Sequence, residues 1–341
     1  MTAPLEPDVL PLTLFDGDHT GTAVAALTID GPVITAADVL ELTGWEVKPY
    51  GLCRGDVCNP ARFTGGPITL AALANALHRP LAVEMTDDAV IAVLGEPGGS
   101  TVSAGQLAPV LELEDVDGAS IPLTGRGRKT AVVVWSTWCG CRYELPSWQQ
   151  LAGELAGGLD LITVALDDDA EAVRKWSSRV DGLPVAIDPD HRVSDVFGVV
   201  NVPATVWLDE DGRVVKPPTI APGDDQFADY TEVSSAAHHD ALRAWVAGGA
   251  APEADAPEES EELRTARAER RLAAWLHRHG YAEAAQRHFA TAISLAPLDF
   301  SIRRSSMPAR GQDPFVGEEF IELWEQWSAA GRPGYQPTPA P

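Results

Sequence analysis

The chain has 341 residues and a formal net charge of -25, from 25 basic against 50 acidic side chains, with an apolar fraction of 45%. That length allows two or three domains with cores of their own, and such acidity excludes nucleic acid and anionic membrane as partners. No stretch approaches the roughly 20 apolar residues of a membrane span, and the start, "MTAPLEPDVLPLTLFDGD", lacks the basic and apolar pattern of an export signal, so a cytoplasmic protein is expected. Through about residue 100, short apolar runs alternate with Gly, Pro and Asp. There "ITAADVLELTGW" predicts a helix capped by Thr35, and "ITLAALANALH" predicts a second. "LAVEMTDDAVIAVLG" reads as two strands around a turn, and "EPGGSTVSAGQLAP" as a connection to a new domain.

From about 106 to 250 the pattern is strand–helix alternation, the mark of an α/β layer fold. "TAVVVWS" and "LDLITVAL" predict strands on either side of a helix running from about Arg142 to Ala156. "DDAEAVRKWSSRV" predicts a further helix, "LPVAID" a short strand, and "ATVWLDEDGRVVK" a hairpin turning on Asp211-Gly212. Beyond 250, "APEADAPEESEE" reads as a solvated, mobile acidic linker. In "GYAEAAQRHFATAISLAP", the spacing of Ala285, Phe289, Ala292, Leu295 and Pro297 resembles the second helix of a tetratricopeptide repeat, with "AERRLAAWLHRHG" as the first. One unit is detectable where a free-standing array needs at least three, so this hairpin is expected to pack on the other domains. "FVGEEFIELWEQWSAAG" predicts one more amphipathic helix, with Phe320, Leu323, Trp324 and Trp327 on one face.

The four cysteines form two close pairs, Cys53/Cys58 and Cys139/Cys141. A reducing compartment favours catalytic or metal-binding cysteines over purely structural disulfides. A cysteine opening a helix, as the sequence after Cys139 predicts, lies beside free backbone N–H groups and the positive end of the dipole, which favour thiolate. Lowering a thiol pKa from about 8.5 towards 7 raises the thiolate share at neutral pH from a few per cent to about half.

The stretch "GQLAPVLELEDVDGASIPLTGRGRKTAVVVWSTWCGCRYELP" resembles the entry to a domain of the alkyl hydroperoxide reductase/thiol-specific antioxidant superfamily, within it the TlpA/ResA-like thioredoxins. Their motif is Trp-Cys-x-x-Cys-x-x-Glu-x-Pro. Trp138, Glu144 and Pro146 keep its flanks, while only Gly140 separates the cysteines. "IDPDHRVSDVFGVVNVPATVWLDEDGRVV" resembles the family's second signature, with Pro203 at its cis-proline. The resemblance implies a thioredoxin-like α/β domain over 105–250, preceded by a small α+β cysteine-bearing domain (1–104) and followed by the acidic linker (251–262) and a helical, tetratricopeptide-like domain (263–335).

The same resemblance implies a thiol–disulfide oxidoreductase without cofactor or metal, acting on a protein or small-molecule thiol or disulfide. Cys139 would attack, and Cys141 or a cysteine of the redox partner pair Cys53/Cys58 would resolve. Trp138, Glu144 and Pro203 would shape the site: the proline keeps metals off the thiols and presents backbone to the substrate, and the glutamate tunes thiol acidity and proton transfer. The deletion bears on the chemistry. Residues two apart on a helix point roughly 200° away from each other, so a Cys139–Cys141 disulfide needs a tight backbone, which glycine tolerates best, and is expected to be strained and easily reduced.

Other readings stand beside this one. Ser136, three before Cys139, faintly resembles the Thr-x-x-Cys of peroxiredoxins, although Val132 stands where their proline would, so a thiol peroxidase is the alternative enzyme. A non-catalytic scaffold or an all-thiolate metal site is the other, although the cysteine spacings match the usual two-residue knuckles poorly. Cys53 and Cys58 read equally as a structural disulfide closing a short turn. His238/His239 and His277/His279 read as surface helix residues. Arg264, Arg267, Arg270 and Arg271 share one helix face answering the acidic linker, and Arg303, Arg304 and Arg310 form a basic loop that could hold an anionic substrate or neutralise the acidic body, the second being the favoured reading. A protein partner docking through the helical domain is left open. Nothing resembles a P-loop, a dinucleotide fingerprint or a serine-hydrolase elbow.

Overall fold

The structure, a computed structural model, describes residues 8–63, 65–255 and 259–338. Residues 1–7, which begin the stretch read for an export signal, and residues 256–258 of the acidic linker lie outside the described residues. The chain forms two compact units, Met1–Gly98 with Ser260–Leu295, and Gly99–Glu259 with Ala296–Pro341.

The described residues up to 98 supply nine strands and two helices. They are β1 (Val9–Asp16), β2 (His19–Thr28), β3 (Gly31–Ile34), α1 (Ala36–Thr43), β4 (Glu46–Lys48), β5 (Gly51–Arg54), β6 (Val57–Pro60), β7 (Ile68–Thr69), α2 (Leu70–Leu77), β8 (Leu81–Met85) and β9 (Val90–Leu94). Six strands make a sheet in the order β7-β3-β2-β1-β9-β8, and β4-β5-β6 make a separate small one. Thr35 caps α1 as predicted, in a reciprocal box: Asp38 N–H donates to its hydroxyl at 3.2 Å, and Thr35 N–H donates to Asp38 Oδ2 at 2.8 Å. Gly44 ends α1 in the left-handed region at φ 70°, a conformation costly for any residue with a Cβ. Leu12, Leu14, Val39, Leu42, Leu73 and Val90 pack between the sheet and these two helices.

The central segment contains β10 (Glu112–Glu114), β11 (Ser120–Pro122), β12 (Thr130–Trp135), α3 (Leu145–Leu155), β13 (Asp160–Ala165), α4 (Ala170–Ser177), β14 (Val185–Ile187), α5 (Arg192–Phe197), β15 (Ala204–Leu208), β16 (Val214–Ile220), α6 (Ala228–Thr231) and α7 (Ser235–Val246). The sheet order is β11-β10-β14-β13-β12-β15-β16. β12 runs parallel to β13 and antiparallel to β15. All six residues of β12 are buried, as expected of a central strand covered on both faces. This is the α/β layer that the alternation predicted and the thioredoxin-like domain that the resemblance implied, and the Asp211-Gly212 turn joins β15 to β16.

The C-terminal part contains α8 (Glu261–Arg278), α9 (Ala282–Leu295) and α10 (Glu318–Ala329). Here the structure differs from the expected helical domain at 263–335, because its residues divide between the units after Leu295. α8 and α9 pack as a hairpin, with α8 against β8 and β9. The reason is the arginine face of α8. Arg267, Arg270 and Arg271 are buried rather than turned to the linker, and Arg271 donates to the Gly17 carbonyl at 2.9 Å. His288 of α9 is held between Glu84 and Glu269.

Residues 296–338 belong to the other unit. Ser301 N–H donates to the Val200 carbonyl at 3.1 Å, and Ile220 N–H donates to the Gln336 carbonyl at 2.7 Å. Phe300, Met307, Leu323 and Trp327 form a small core there. The end of the acidic linker is fixed as well, since Glu259 accepts from Gly99 N–H at 2.8 Å and from the Thr101 hydroxyl at 2.9 Å.

Candidate active site

β12 delivers the chain to the carboxyl edge of the parallel strands, where open α/β sheets place their sites. The loop leaving it is pinned by its own polar groups. Thr137 donates its N–H to Asp167 Oδ2 at 2.9 Å and its hydroxyl to Oδ1. Trp138 donates its indole N–H to the Leu166 carbonyl at 2.9 Å and its backbone N–H to Ser136 Oγ at 3.2 Å. Ser136 is thus a buried brace of the loop. Burial pushes the Asp167 carboxyl up to about 7, against the hydrogen bonds from Thr137 and Ser136 that favour its ionised form.

Cys139 is the extended residue (φ -116°, ψ 150°) at which this loop becomes helical. Its Sγ caps a 3-10 turn, Gly140–Glu144, by accepting the Cys141 N–H at 3.3 Å, and the turn runs directly into α3. Gly140 suits this position for a reason beyond backbone freedom. A Cβ at this position would come within 2.8 Å of Phe227 Cζ, so the Phe227 ring occupies the space of the missing side chain. On the other side Cys139 Sγ lies 3.7 Å from the Val202 carbonyl, and the Val202–Pro203 peptide bond is cis.

The two thiols are driven apart in acidity. Burial opposes ionisation of Cys139, yet the hydrogen bond from the Cys141 thiol, the Arg304 guanidinium, the Cys141 N–H and Arg142 together lower it to about 7. Cys141 is pushed well above the usual thiol range by burial, by its hydrogen bond to Cys139 and by the charges of Cys139 and Glu144. Glu144 is itself buried, and burial raises its carboxyl well above the usual range despite the Gly223 N–H donating to Oε2 at 2.7 Å. The site therefore sets one thiol of lowered pKa beside a thiol and a carboxyl whose pKa values are both raised.

Sequence reasoning singled out Arg304 within a basic loop but did not place it beside the cysteines. Arg303 and Arg310 do pair with acidic residues of α10, at Glu319 and Glu322, as a neutralising loop should. Arg304 is buried instead, with its Nε donating to the Pro314 carbonyl at 2.9 Å, and its charge favours the ionised Cys139 sulfur, with which it lines one cavity. Its guanidinium lies 4.3 Å from the centre of the Phe320 ring and 5.8 Å from that of Trp138. Nothing local distinguishes Arg304 from Arg303. Only the fold, by bringing residues 296–338 onto this unit, could have found it.

Cys139, Cys141, Glu144, Pro203 and Arg304 line one cavity of about 510 Å³. Its remaining walls are largely apolar and aromatic, from Phe227 and Tyr230 on one side and Phe315, Phe320, Trp324 and Tyr335 on the other. Trp138 packs beneath in the core.

The other sequence candidates lie elsewhere. Cys53 and Cys58 face each other across β5 and β6 and are joined to one another in a disulfide, while Cys139 and Cys141 are free thiols. A four-thiolate metal site is therefore not formed. His238 is not a surface residue. It is buried against Trp148 and Trp207, with Nδ1 3.1 Å from the Thr338 hydroxyl, and burial and nearby Lys216 push its pKa well down.

Residues 103–233 match the Redoxin family. Over 121 residues, 34% of this chain and 69% of the relative, the sequence is 31% identical to the thiol-disulfide oxidoreductase ResA of Halalkalibacterium halodurans. It is 29% identical over 137 residues to ResA of Bacillus subtilis, covering 39% of this chain and 76% of that one. Among solved structures it is similar to a putative thiol:disulfide interchange protein DsbE from Chlorobium tepidum, with 26% identity, a TM-score of 0.32, and coverage of 35% of this chain and 86% of the other. The matched segment contains Trp138, Cys139, Cys141, Glu144 and Pro203, whereas Arg304 and the walls built by residues 300–335 lie beyond it. Through that segment the chain belongs to the redoxin family of thioredoxin-like thiol–disulfide oxidoreductases.

Proposed function

We propose that Cys139 is the attacking thiol of a thiol–disulfide exchange and Cys141 the resolving thiol. The observation that carries this reading is the position of the Cys139 sulfur, which caps a helical turn through the Cys141 N–H at 3.3 Å and faces a buried guanidinium. Both contacts favour thiolate, the nucleophilic form.

Exchange runs in two displacements. The Cys139 thiolate attacks one sulfur of a substrate disulfide, the substrate S–S bond breaks, and the released thiolate takes a proton from the Glu144 carboxyl. Glu144, now ionised, takes the proton of the Cys141 thiol. Cys141 then attacks Cys139, releasing the second substrate thiolate and leaving a Cys139–Cys141 disulfide. The substrate gains two electrons and the protein loses two. Arg304 holds negative charge first on Cys139 and then on the leaving sulfur.

Trapping tests the assignment. Cys141→Ser is expected to accumulate a mixed disulfide on Cys139 that dithiothreitol releases, while Cys139→Ser forms none. An adduct on Cys141 in the Cys139→Ser variant, at the rate seen for Cys139, overturns the order of attack.

A further inference from the structure

The cavity above Cys139 is roofed by chain that the family match does not contain. Phe315, Phe320, Trp324 and Tyr335 all come from residues 296–338, and Cys139 and Cys141, which line the same cavity, are only 6% and 2% exposed. A disulfide on the surface of a folded protein does not reach a sulfur at the floor of such a pocket. A volume of about 510 Å³ lies within the range that encloses small organic ligands.

The charges narrow the ligand further. Among the described residues Arg304 is the one cationic side chain lining the cavity, and the Cys139 thiolate already answers it. Glu325, which also lines the cavity, adds a negative charge against an anionic substrate body, while the Arg142 guanidinium is stacked behind the wall, 4.3 Å from the centre of the Phe315 ring, and donates to the Thr137 carbonyl. Burying an unpaired carboxylate among aromatic side chains costs far more than burying an alkyl or aryl group.

We infer that the substrate of this site is a small, uncharged disulfide with apolar arms, received in a pocket that the C-terminal segment builds over Cys139. The inference rests on the thiol–disulfide exchange proposed above and names its substrate class. One arm stacks against Phe315 and Phe320 while the S–S bond meets the Cys139 sulfur. The reaction is the balanced two-step exchange already given, with two small thiols as products.

The test mixes fully reduced protein with dipropyl disulfide, bis(2-hydroxyethyl) disulfide, glutathione disulfide or insulin, and follows Cys139–Cys141 oxidation by intact mass. Each rate is divided by that of dithiothreitol with the same disulfide, which removes intrinsic reactivity. Dipropyl disulfide is expected to exceed bis(2-hydroxyethyl) disulfide roughly tenfold, the scale set by small apolar differences in a pocket, with glutathione disulfide and insulin slower still. Phe320→Ala is expected to reduce the preference to about threefold or less. Ile321→Glu, a change at a half-exposed lining residue, asks the same of the wall should Phe320→Ala fail to fold.

Equal normalised rates, or faster reaction with glutathione disulfide or insulin, overturn the substrate class and leave the exchange reaction standing. Failure of every disulfide to oxidise Cys139, with or without oxidation by cumene hydroperoxide, overturns the exchange reaction itself.

Discussion

Gly223 donates its backbone N–H to Glu144 Oε2 across 2.7 Å, tying the carboxyl that follows the cysteine motif to the loop after β16. The fit leaves no room for a side chain. A Cβ on Gly223 would lie 2.6 Å from Trp148 Nε1 and 3.0 Å from Glu144 Cβ. Gly223→Ala is therefore expected to lower stability by about 1–3 kcal/mol through overpacking and to slow release of the mixed disulfide, because Glu144 loses its fixed position. Glu144→Gln keeps the shape and removes the proton acceptor. It should slow the Cys141 step by about 10²-fold and also slow the first displacement, whose leaving thiolate loses its proton donor, as read by single-turnover quench and mass analysis.

Arg304 supplies the cation beside Cys139, and its removal has a defined sign. Arg304→Gln is expected to move the Cys139 thiolate titration upward from about 7 towards the ordinary thiol value of 9.0, with Arg304→Lys in between. Absorbance of the thiolate near 240 nm in the Cys141→Ser background checks it. An unchanged titration would remove Arg304 from the account.

Asp167 adds a pH dependence to stability. Its folded pKa is raised from 3.8 to about 7, so the unfolded chain ionises first. Its contribution is fully present below about pH 4 and is lost as pH rises through about 7. Wild type is thus expected to lose stability over that window relative to Asp167→Asn, whose amide does not titrate. Denaturant melts of both proteins at pH 4.5, 6 and 7.5 measure the difference, and parallel pH profiles would contradict it.

The Cys53–Cys58 disulfide closes the hairpin of β5 and β6, in the unit that does not contain the other cysteines. Its short loop limits the entropic gain to roughly 2 kcal/mol. The double variant Cys53→Ser, Cys58→Ser is expected to lose at most about that much stability and to keep the wild-type rate of Cys139 oxidation. A severalfold change in that rate would instead make this pair a redox partner of Cys139/Cys141.

The central sheet was readable because its strands are continuous β-branched runs and its turns carry Gly and Asp. Trp138, Glu144 and Pro203 were readable because their spacing to the cysteines survives the deletion. The role of Gly140 was half readable: its freedom is written in its identity, but the ring of Phe227 that fills its side-chain space lies 87 residues away in sequence. The C-terminal helices were correctly predicted as helices and wrongly grouped. Local periodicity marks an apolar face without saying which core receives it, so the burial of Arg267 and Arg271 in one unit and of Arg304 in the other was invisible. His238 misled for the same reason, since a histidine pair on a polar-looking helix gives no sign of the tryptophans that enclose it.

The most direct test of the attacking thiol is its alkylation profile. Reduced protein is pulsed with iodoacetamide between pH 5 and 10, and Cys139 and Cys141 are quantified separately by peptide mass analysis. Labelling of Cys139 should rise with a midpoint near pH 7, while Cys141 stays unlabelled until well above the usual thiol range. Labelling of Cys141 before Cys139, or no labelling of Cys139 below pH 8.5, would contradict its assignment as the nucleophile.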